Sequence, residues 1–92
     1  MDSDNDALGA LAGKSVVIDA CSQYVFLGTF VGQDHRYVVL EDADVHDLRD
    51  TNTTRELYVL EAKQHGVHPN RKRLLVRRDE IVSLSALDDV VS

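Results

Sequence analysis

The fold is decided by the segment LLVRRDEIVSL, which occupies residues 74–84. An apolar run ends at two arginines and two acids, and a second apolar run follows at once. Four charged residues are too few for a linker between domains, and they interrupt the apolar pattern too abruptly for a helix interior. The segment therefore predicts two short β-strands, at 73–77 and 80–86, which are joined by a tight charged corner. Alternation in the second strand predicts that Val82, Leu84 and Ala86 share one face.

Three further strands are predicted upstream, at residues 15–20, 24–31 and 36–42, and residues 42–52 form a loop or an extended end of the third strand. The loops between these three strands are only a few residues long, which is typical of an antiparallel meander. Gly28 lies in the middle of the second strand, where a glycine often marks a sharp bend. The five strands together predict a mainly β protein that forms a small, strongly bent antiparallel barrel.

Helical signals are found at two places outside the predicted strands. Near the N-terminus, residues 4–6 can cap a short helix over 7–11, which two glycines weaken. We therefore expect a single domain over residues 1–92, with an N-terminal helix or arm at 1–13 and a tail at 88–92.

The second helical signal predicts an insertion at residues 53–66, between the third and fourth strands. We expect a helix from about 54 to 65, and the run LYVL within it also fits a strand. The helix signals are a capping box, an apolar pair at helical spacing and a stop glycine, carried by Thr53 with Glu56, Leu57 with Leu60, and Gly66.

Composition excludes several classes of protein. The single cysteine, Cys21, cannot form an internal disulfide, no apolar run approaches the roughly 18 residues of a membrane span, and the acidic N-terminus is unlike a signal peptide. We therefore expect a cytoplasmic protein without membrane contact. Neither the pair His65 and His68 nor the acids of 42–47 complete a metal site. The chain also lacks a phosphate-binding loop and a nucleophile elbow, so we expect no metal, no cofactor and no enzyme activity.

Charge is unevenly distributed along the chain. The net charge is −6, from ten basic and sixteen acidic side chains. Residues 62–78 contain six basic residues and no acid, which leaves four basic and sixteen acidic residues elsewhere, a net −12. This asymmetry favours a cationic surface or channel mouth within an acidic exterior. The alternative is a strand whose outward side chains happen to be basic.

Two segments resemble the motifs of the Sm-like (LSm/Hfq) family. The run GTFVGQD at 28–34, followed by the apolar residues 38–40, is similar to the first Sm motif, and residues 75–84 are similar to the second. The resemblance covers roughly residues 5–42 and 72–87. It implies an Sm-like (SH3-like) barrel with a short N-terminal helix, into which the helical segment is inserted between strands three and four.

The resemblance also implies that a base of single-stranded RNA is held between a loop wall and the corner arginine, Arg77. The family's Asn after Asp34 and its Gly after the arginine are absent here. Exposed bases stack on aromatic and guanidinium planes, which suits this residue set. The alternatives are an ion pair between Arg77 and Asp34 and a place for Tyr37 in the core. The RNA-binding residues that the resemblance implies are Asp34, His35, Arg36, Tyr37, Arg77 and Arg78.

Self-association is expected because a five-stranded barrel rarely closes, which leaves edge strands with unpaired backbone groups. Pairing the fourth strand of one copy with the fifth of the next gives a head-to-tail contact that repeats until a ring closes. The resemblance implies six or seven copies with the corners at the central pore. The alternatives are an Sm-like module that binds or assembles proteins without RNA and a subunit of something larger. The expected edge residues are Leu74, Leu75, Val76, Ile81 and Val82.

Overall fold

A computed structural model describes residues 7–50 and 53–91 of the chain. It contains five strands, β1 (Ser15–Ala20), β2 (Tyr24–Gln33), β3 (Tyr37–Asp47), β4 (Arg71–Arg77) and β5 (Ile81–Ala86). They form one antiparallel sheet in the order β4-β3-β2-β1-β5. A helical turn at residues 7–9 precedes β1, and the helix α1 (Arg55–His65) lies between β3 and β4. The predicted fold class is therefore confirmed, whereas the expected cap at residues 4–6 lies outside the described residues.

The sheet buries apolar side chains on both of its faces. The central strand β1 explains how, because successive residues of a strand point to opposite faces. Val16 and Ile18 lie in an inner core, and Val17 between them lies in a second core under α1. The inner core also contains Phe30, Val38, Leu40, Ala43 and Val76, and the second contains Val25, Leu27, Val59, Ala62 and Leu87.

Helix α1 begins one residue later than the sequence indicated. Its N-cap is Thr54, whose Oγ1 accepts a hydrogen bond from the Leu57 amide at 3.2 Å. The predicted cap at Thr53 is therefore wrong. With the cap at Thr54, the third helical position is Leu57, and a capping box needs Glu or Gln there. Glu56 lies one position too early to complete the box. The helix ends as expected at Gly66, which has φ of 92° and donates its amide to the Ala62 carbonyl at 2.8 Å.

The buried face of α1 differs from the predicted one. Val59 and Ala62 are buried, whereas Leu57 is 55% exposed. The rotation of the helix is fixed by Tyr58, whose hydroxyl donates to the Asp44 carboxylate and whose ring stacks on His46 at a centroid distance of 3.9 Å. Burial, with the Asp44 bond second, raises the pKa of the Tyr58 hydroxyl. Contacts with β3 therefore determine which stripe of the helix faces the sheet.

Strand β3 continues five residues beyond the predicted end of the third strand. Residues 44–47 pair with 24–27 of β2, so the acidic stretch is largely strand and not loop. The return from α1 secures this extension, because the Asn70 side chain accepts from the Val45 amide and donates to the Val45 carbonyl, each at 3.1 Å. Thr51 and Asn52 lie outside the described residues.

Val82 is the one apolar residue of β5 that leaves the predicted face. Asp19 pairs with Ser83 and the next residue, Ala20, pairs with Ile81, so Val82 is bulged out of the ladder and is 68% exposed. The prediction that it shares a face with the inward residues of β5 is therefore wrong, because a bulge shifts the two-residue alternation. Within the described part of the chain, no helix is long and apolar enough to cross a membrane.

The cap gives a stability prediction. Thr54→Ala removes the acceptor for the Leu57 amide, and we expect the free energy of unfolding to fall by about 0.5–2 kcal/mol. Thr54→Ser keeps a hydroxyl at the same position and serves as the control. Urea denaturation measures both variants, and equal loss for alanine and serine would contradict the assigned cap.

Candidate nucleic-acid interface

The two segments that resemble Sm motifs meet at one end of the sheet. The β2–β3 turn and the β4–β5 corner are bonded directly, because the Arg78 amide donates to the Arg36 carbonyl at 2.8 Å. The Arg78 guanidinium donates to the Asp34 carbonyl at 3.0 Å. Tyr37 and Arg77 are cross-strand neighbours in the β3–β4 ladder. Two parts of the sequence about forty residues apart thus form one surface.

This surface contains an open depression of about 750 Å³. The three arginines are exposed, and Tyr37 is half-buried, so it is not part of the core as the alternative held. The depression therefore has cationic planes and an aromatic ring within reach of solvent. It is lined by His35, Arg36, Tyr37, Arg77 and Arg78, five of the six predicted residues, together with Asp79.

The sixth predicted residue, Asp34, shapes the turn. One of its carboxylate oxygens, Oδ1, accepts from the amide of Arg36 at 2.8 Å and from that of Tyr37 at 2.7 Å. These two bonds, ahead of the nearby charges of His35 and Arg36, hold the pKa of the Asp34 carboxyl below its usual value. The carboxylate therefore holds the turn that presents the neighbouring side chains, and it does not line the depression.

Asp34 gives a prediction about pH. Because its pKa is lower in the folded state than in the unfolded chain, its contribution to stability is present above about pH 4 and is lost as the pH falls through the lowered value. Asp34→Asn keeps an acceptor oxygen but removes the charge. We expect wild type to be the more stable protein at pH 7 and the difference to shrink as the pH falls below about 4. Thermal melts at a series of pH values measure this, and a difference that is constant with pH would contradict it.

Arg77 has a different partner from the one considered in the sequence. Its guanidinium pairs with Asp79 at 3.1 Å, and the two side chains are 62% and 73% exposed. The pairing of Arg77 with Asp34 is therefore wrong, because the Asp34 carboxylate is turned toward its own loop. An exposed ion pair contributes only about 0–1 kcal/mol, so Arg77 can exchange this carboxylate for another partner at little cost. Asp79 was missed as a lining residue, although its place two residues after Arg77 in a tight corner indicates such a contact.

The two strands predicted to be edges are the outermost strands of the sheet. Leu74, Val76 and Ile81 pack against or within the inner core, whereas Leu75 on β4 and Val82 on β5 are 53% and 68% exposed. Leu75 and Val76 also line a depression of about 290 Å³ whose other walls include the stacked rings of Tyr24 and Phe26 and the β1 residue Ala20. Apolar surface is thus exposed beside the β4 edge.

Among the described residues, the side chains that could bind a metal ion do not come together at one site. His65 and His68 line the same depression as Asp44, but among residues 7–50 and 53–91 no group of three ligating side chains could hold an ion. Cys21 is exposed, and its thiol donates to the Glu80 carboxylate at 3.4 Å. This bond raises the pKa of the thiol, which disfavours a reactive thiolate.

The fold is similar to that of archaeal Sm proteins in solved structures. One, from Pyrococcus abyssii, is an Sm protein in complex with a uridine heptamer; it is 20% identical, has a TM-score of 0.62, and the match covers 92% of this chain and 99% of that one. The fold is Sm-like. An SmAP (LSm) protein from Methanococcus vannielii is 22% identical with a TM-score of 0.59 over 92% of this chain and 98% of that one. The SmAP1 heptamer from P. aerophilum is 16% identical with a TM-score of 0.59, and the match covers 94% of this chain and 95% of that one.

These likenesses concern the backbone. The sequence matches no family model and no curated protein. The similarity therefore concerns the fold alone, and it assigns no role to the side chains of the depression.

Proposed function

We propose that the protein is an Sm-like RNA-binding module that assembles into a ring and holds single-stranded RNA at the depression lined by residues 35–37 and 77–79. The convergence of three arginines, a histidine and a tyrosine on one exposed depression supports the proposal. It acts by binding and not by catalysis. The Pyrococcus abyssii protein, whose fold is similar, is bound to a uridine heptamer, which supports the same class of ligand here.

The chemistry of the depression favours unpaired bases. Aromatic rings and guanidinium planes stack on exposed base faces with about 1–3 kcal/mol per base, and a duplex hides those faces inside its stack. Tyr37 and Arg77 are neighbours in the ladder and can face the same base. Arg36 and Arg78 supply charge for the phosphates, since neutralisation of phosphates is the main source of affinity for nucleic acids.

A ring would explain how a chain with a net charge of −6 presents a cationic centre. The unpaired backbone groups of β4 and β5 are satisfied when β4 of one copy continues the sheet beyond β5 of the next. The arginine corners of all copies then repeat around one axis, and most acidic residues lie elsewhere. Solved structures with a similar fold include heptamers, which supports an assembly of six or seven copies.

Binding of a labelled oligouridine single strand, followed by fluorescence anisotropy, tests the proposed function. We expect saturable binding that weakens steeply with salt, and much weaker binding of an RNA duplex of the same length. Equal binding of the two RNAs would contradict recognition of exposed bases. An assembled protein that binds neither RNA would instead support the alternative, an Sm-like module that contacts proteins only.

A further inference from the structure

Helix α1 and the segment that follows β5 form a groove beside the edge strand β5. The groove has a volume of about 190 Å³ and lies on the sheet face that α1 covers. Its apolar walls include Leu60, Val90 and Val91, Ser85 of β5 forms part of its floor, and Glu56 lies on its rim. The groove is therefore continuous with the edge at which another copy would pair in the proposed ring.

The groove walls are held in place by contacts within the chain. The Lys63 ammonium donates to the Val90 carbonyl, and Val90 packs against the second core. At the start of α1, Arg55 pairs with Asp19 of β1 at 3.2 Å. Val91 nevertheless remains 85% exposed, so the segment is anchored while its apolar side chain projects beside an open sheet edge.

The other edge of the sheet carries the complementary chemistry. The outward side chains of β4 alternate as Arg71, Arg73, Leu75 and Arg77, because Val76 points into the inner core. Leu75 is a half-exposed apolar residue within this basic row. The β5 edge has the opposite charge at its groove end, where Asp88, Asp89 and Glu56 are exposed, whereas Asp79 at the other end pairs with Arg77 of its own chain.

We infer that the groove beside β5 receives the outward face of β4 from a neighbouring copy of this chain. This inference rests on the proposed ring and adds α1 to the interface as a second layer over the pairing of the edge strands. Neighbouring strands are about 4.8 Å apart, so a β4 strand added beyond β5 brings its outward side chains next to Ser85 and the groove. Leu75 then meets the apolar walls, and Arg71 and Arg73 face Glu56 and the acids at 88–89.

Repulsion between like charges disfavours the two other ways of pairing the edges, β4 with β4 and β5 with β5. Two β4 edges would bring two basic rows together, and two β5 edges would bring two acidic borders together. Only the head-to-tail arrangement places opposite charges and apolar residues against each other, and this arrangement propagates to a ring.

Sedimentation of Val91→Lys tests the groove. The substitution removes an apolar contact and adds a positive charge opposite the arginines of the neighbour, so we expect the protein concentration for half-assembly to rise at least about tenfold. Val91 is exposed, so the thermal stability of the monomer should not change. Leu57→Lys is the matched control, because Leu57 is an exposed apolar residue of α1 that does not line the groove. If Val91→Lys assembles at the same concentration as wild type, the groove contact is overturned and the ring is not. If the wild-type protein is itself monomeric, both are overturned.

A mixing experiment tests the direction of the contact. Leu75→Glu should impair the β4 face of the interface, because it places an acid against Glu56 on the rim of the neighbour's groove. The groove of the Leu75→Glu variant itself stays intact. Val91→Lys impairs the groove and keeps an intact β4. Each variant alone should remain monomeric at concentrations at which the mixture forms a species with equal amounts of both. A mixture that stays monomeric would overturn the head-to-tail docking.

Discussion

Gly28→Val is expected to lower the free energy of unfolding by about 1–3 kcal/mol, with a corresponding fall in melting temperature. Gly28 is buried within β2, and a Cβ atom there would lie 3.1 Å from both Cα and Cβ of Ala43 and 3.2 Å from the Glu41 carbonyl oxygen. Two of these three atoms belong to the backbone of the paired strand, so they cannot move aside as the end of a flexible side chain would. Accommodation requires β3 to shift.

The bend at Gly28 explains the close approach. The register between β2 and β3 shifts between Leu27 and Thr29, and Asp42 on the opposite strand has φ of 49°. This bulge bends the two longest strands, and a bend of this kind allows a short sheet to curve around a core.

Gly32→Val is the matched control for this prediction. Gly32 lies in the same strand and at the second register shift, but a Cβ atom built there meets no described atom within 4 Å. Urea denaturation compares the two valine variants, and Gly28→Ala should fall between wild type and Gly28→Val. A loss at Gly28 no greater than that at Gly32 would contradict close backbone packing as the reason for this glycine.

Arg77→Ala is expected to weaken binding of single-stranded RNA by about 5- to 150-fold, the equivalent of one lost stacking contact of about 1–3 kcal/mol. The guanidinium lines the depression beside Tyr37, and its exposed partner Asp79 holds it only weakly. A ring repeats the substitution in every copy, so the loss for an RNA that contacts several copies should lie at the upper end. Anisotropy with the same oligouridine measures the change.

Arg49→Ala separates this effect from a general loss of charge. Arg49 is 67% exposed and pairs at 2.9 Å with Asp47, two residues away, much as Arg77 pairs with Asp79. It does not line the depression. We expect near wild-type RNA affinity for Arg49→Ala, and an equal loss for both variants would show that Arg77 contributes only net charge.

The strands were predictable from the sequence because their signals are local. The alternation of β1, the central glycine of β2 and the charged corner at 77–80 each arise from a few neighbouring residues, and the structure has a strand or turn at each of these places. The resemblance to the two Sm motifs added the type of barrel and the place of the helix as an insertion between the third and fourth strands. It also brought together five residues that now line one depression, although they are distant in sequence.

What the sequence missed depends on contacts between distant residues. Either Thr53 or Thr54 has a side chain that can cap a helix, and the orientation of α1 is set by Tyr58 bonding to Asp44 on β3. The second half of β3 has no clear alternation of apolar residues, and its pairing is supported by Asn70 from beyond the helix. Asp79, the partner of Arg77, is the exception, because its place two residues away in the tight corner indicated the contact.

The mass of the purified protein in solution, with and without RNase treatment, is the most direct test of an Sm-like ring that binds RNA. We expect a single multimer of six or seven 92-residue chains at micromolar concentration. After RNase treatment the mass should fall only by that of any bound RNA, because the edges of β4 and β5 hold the ring together. A stable monomer under both conditions would contradict the ring and the shared cationic centre that depends on it.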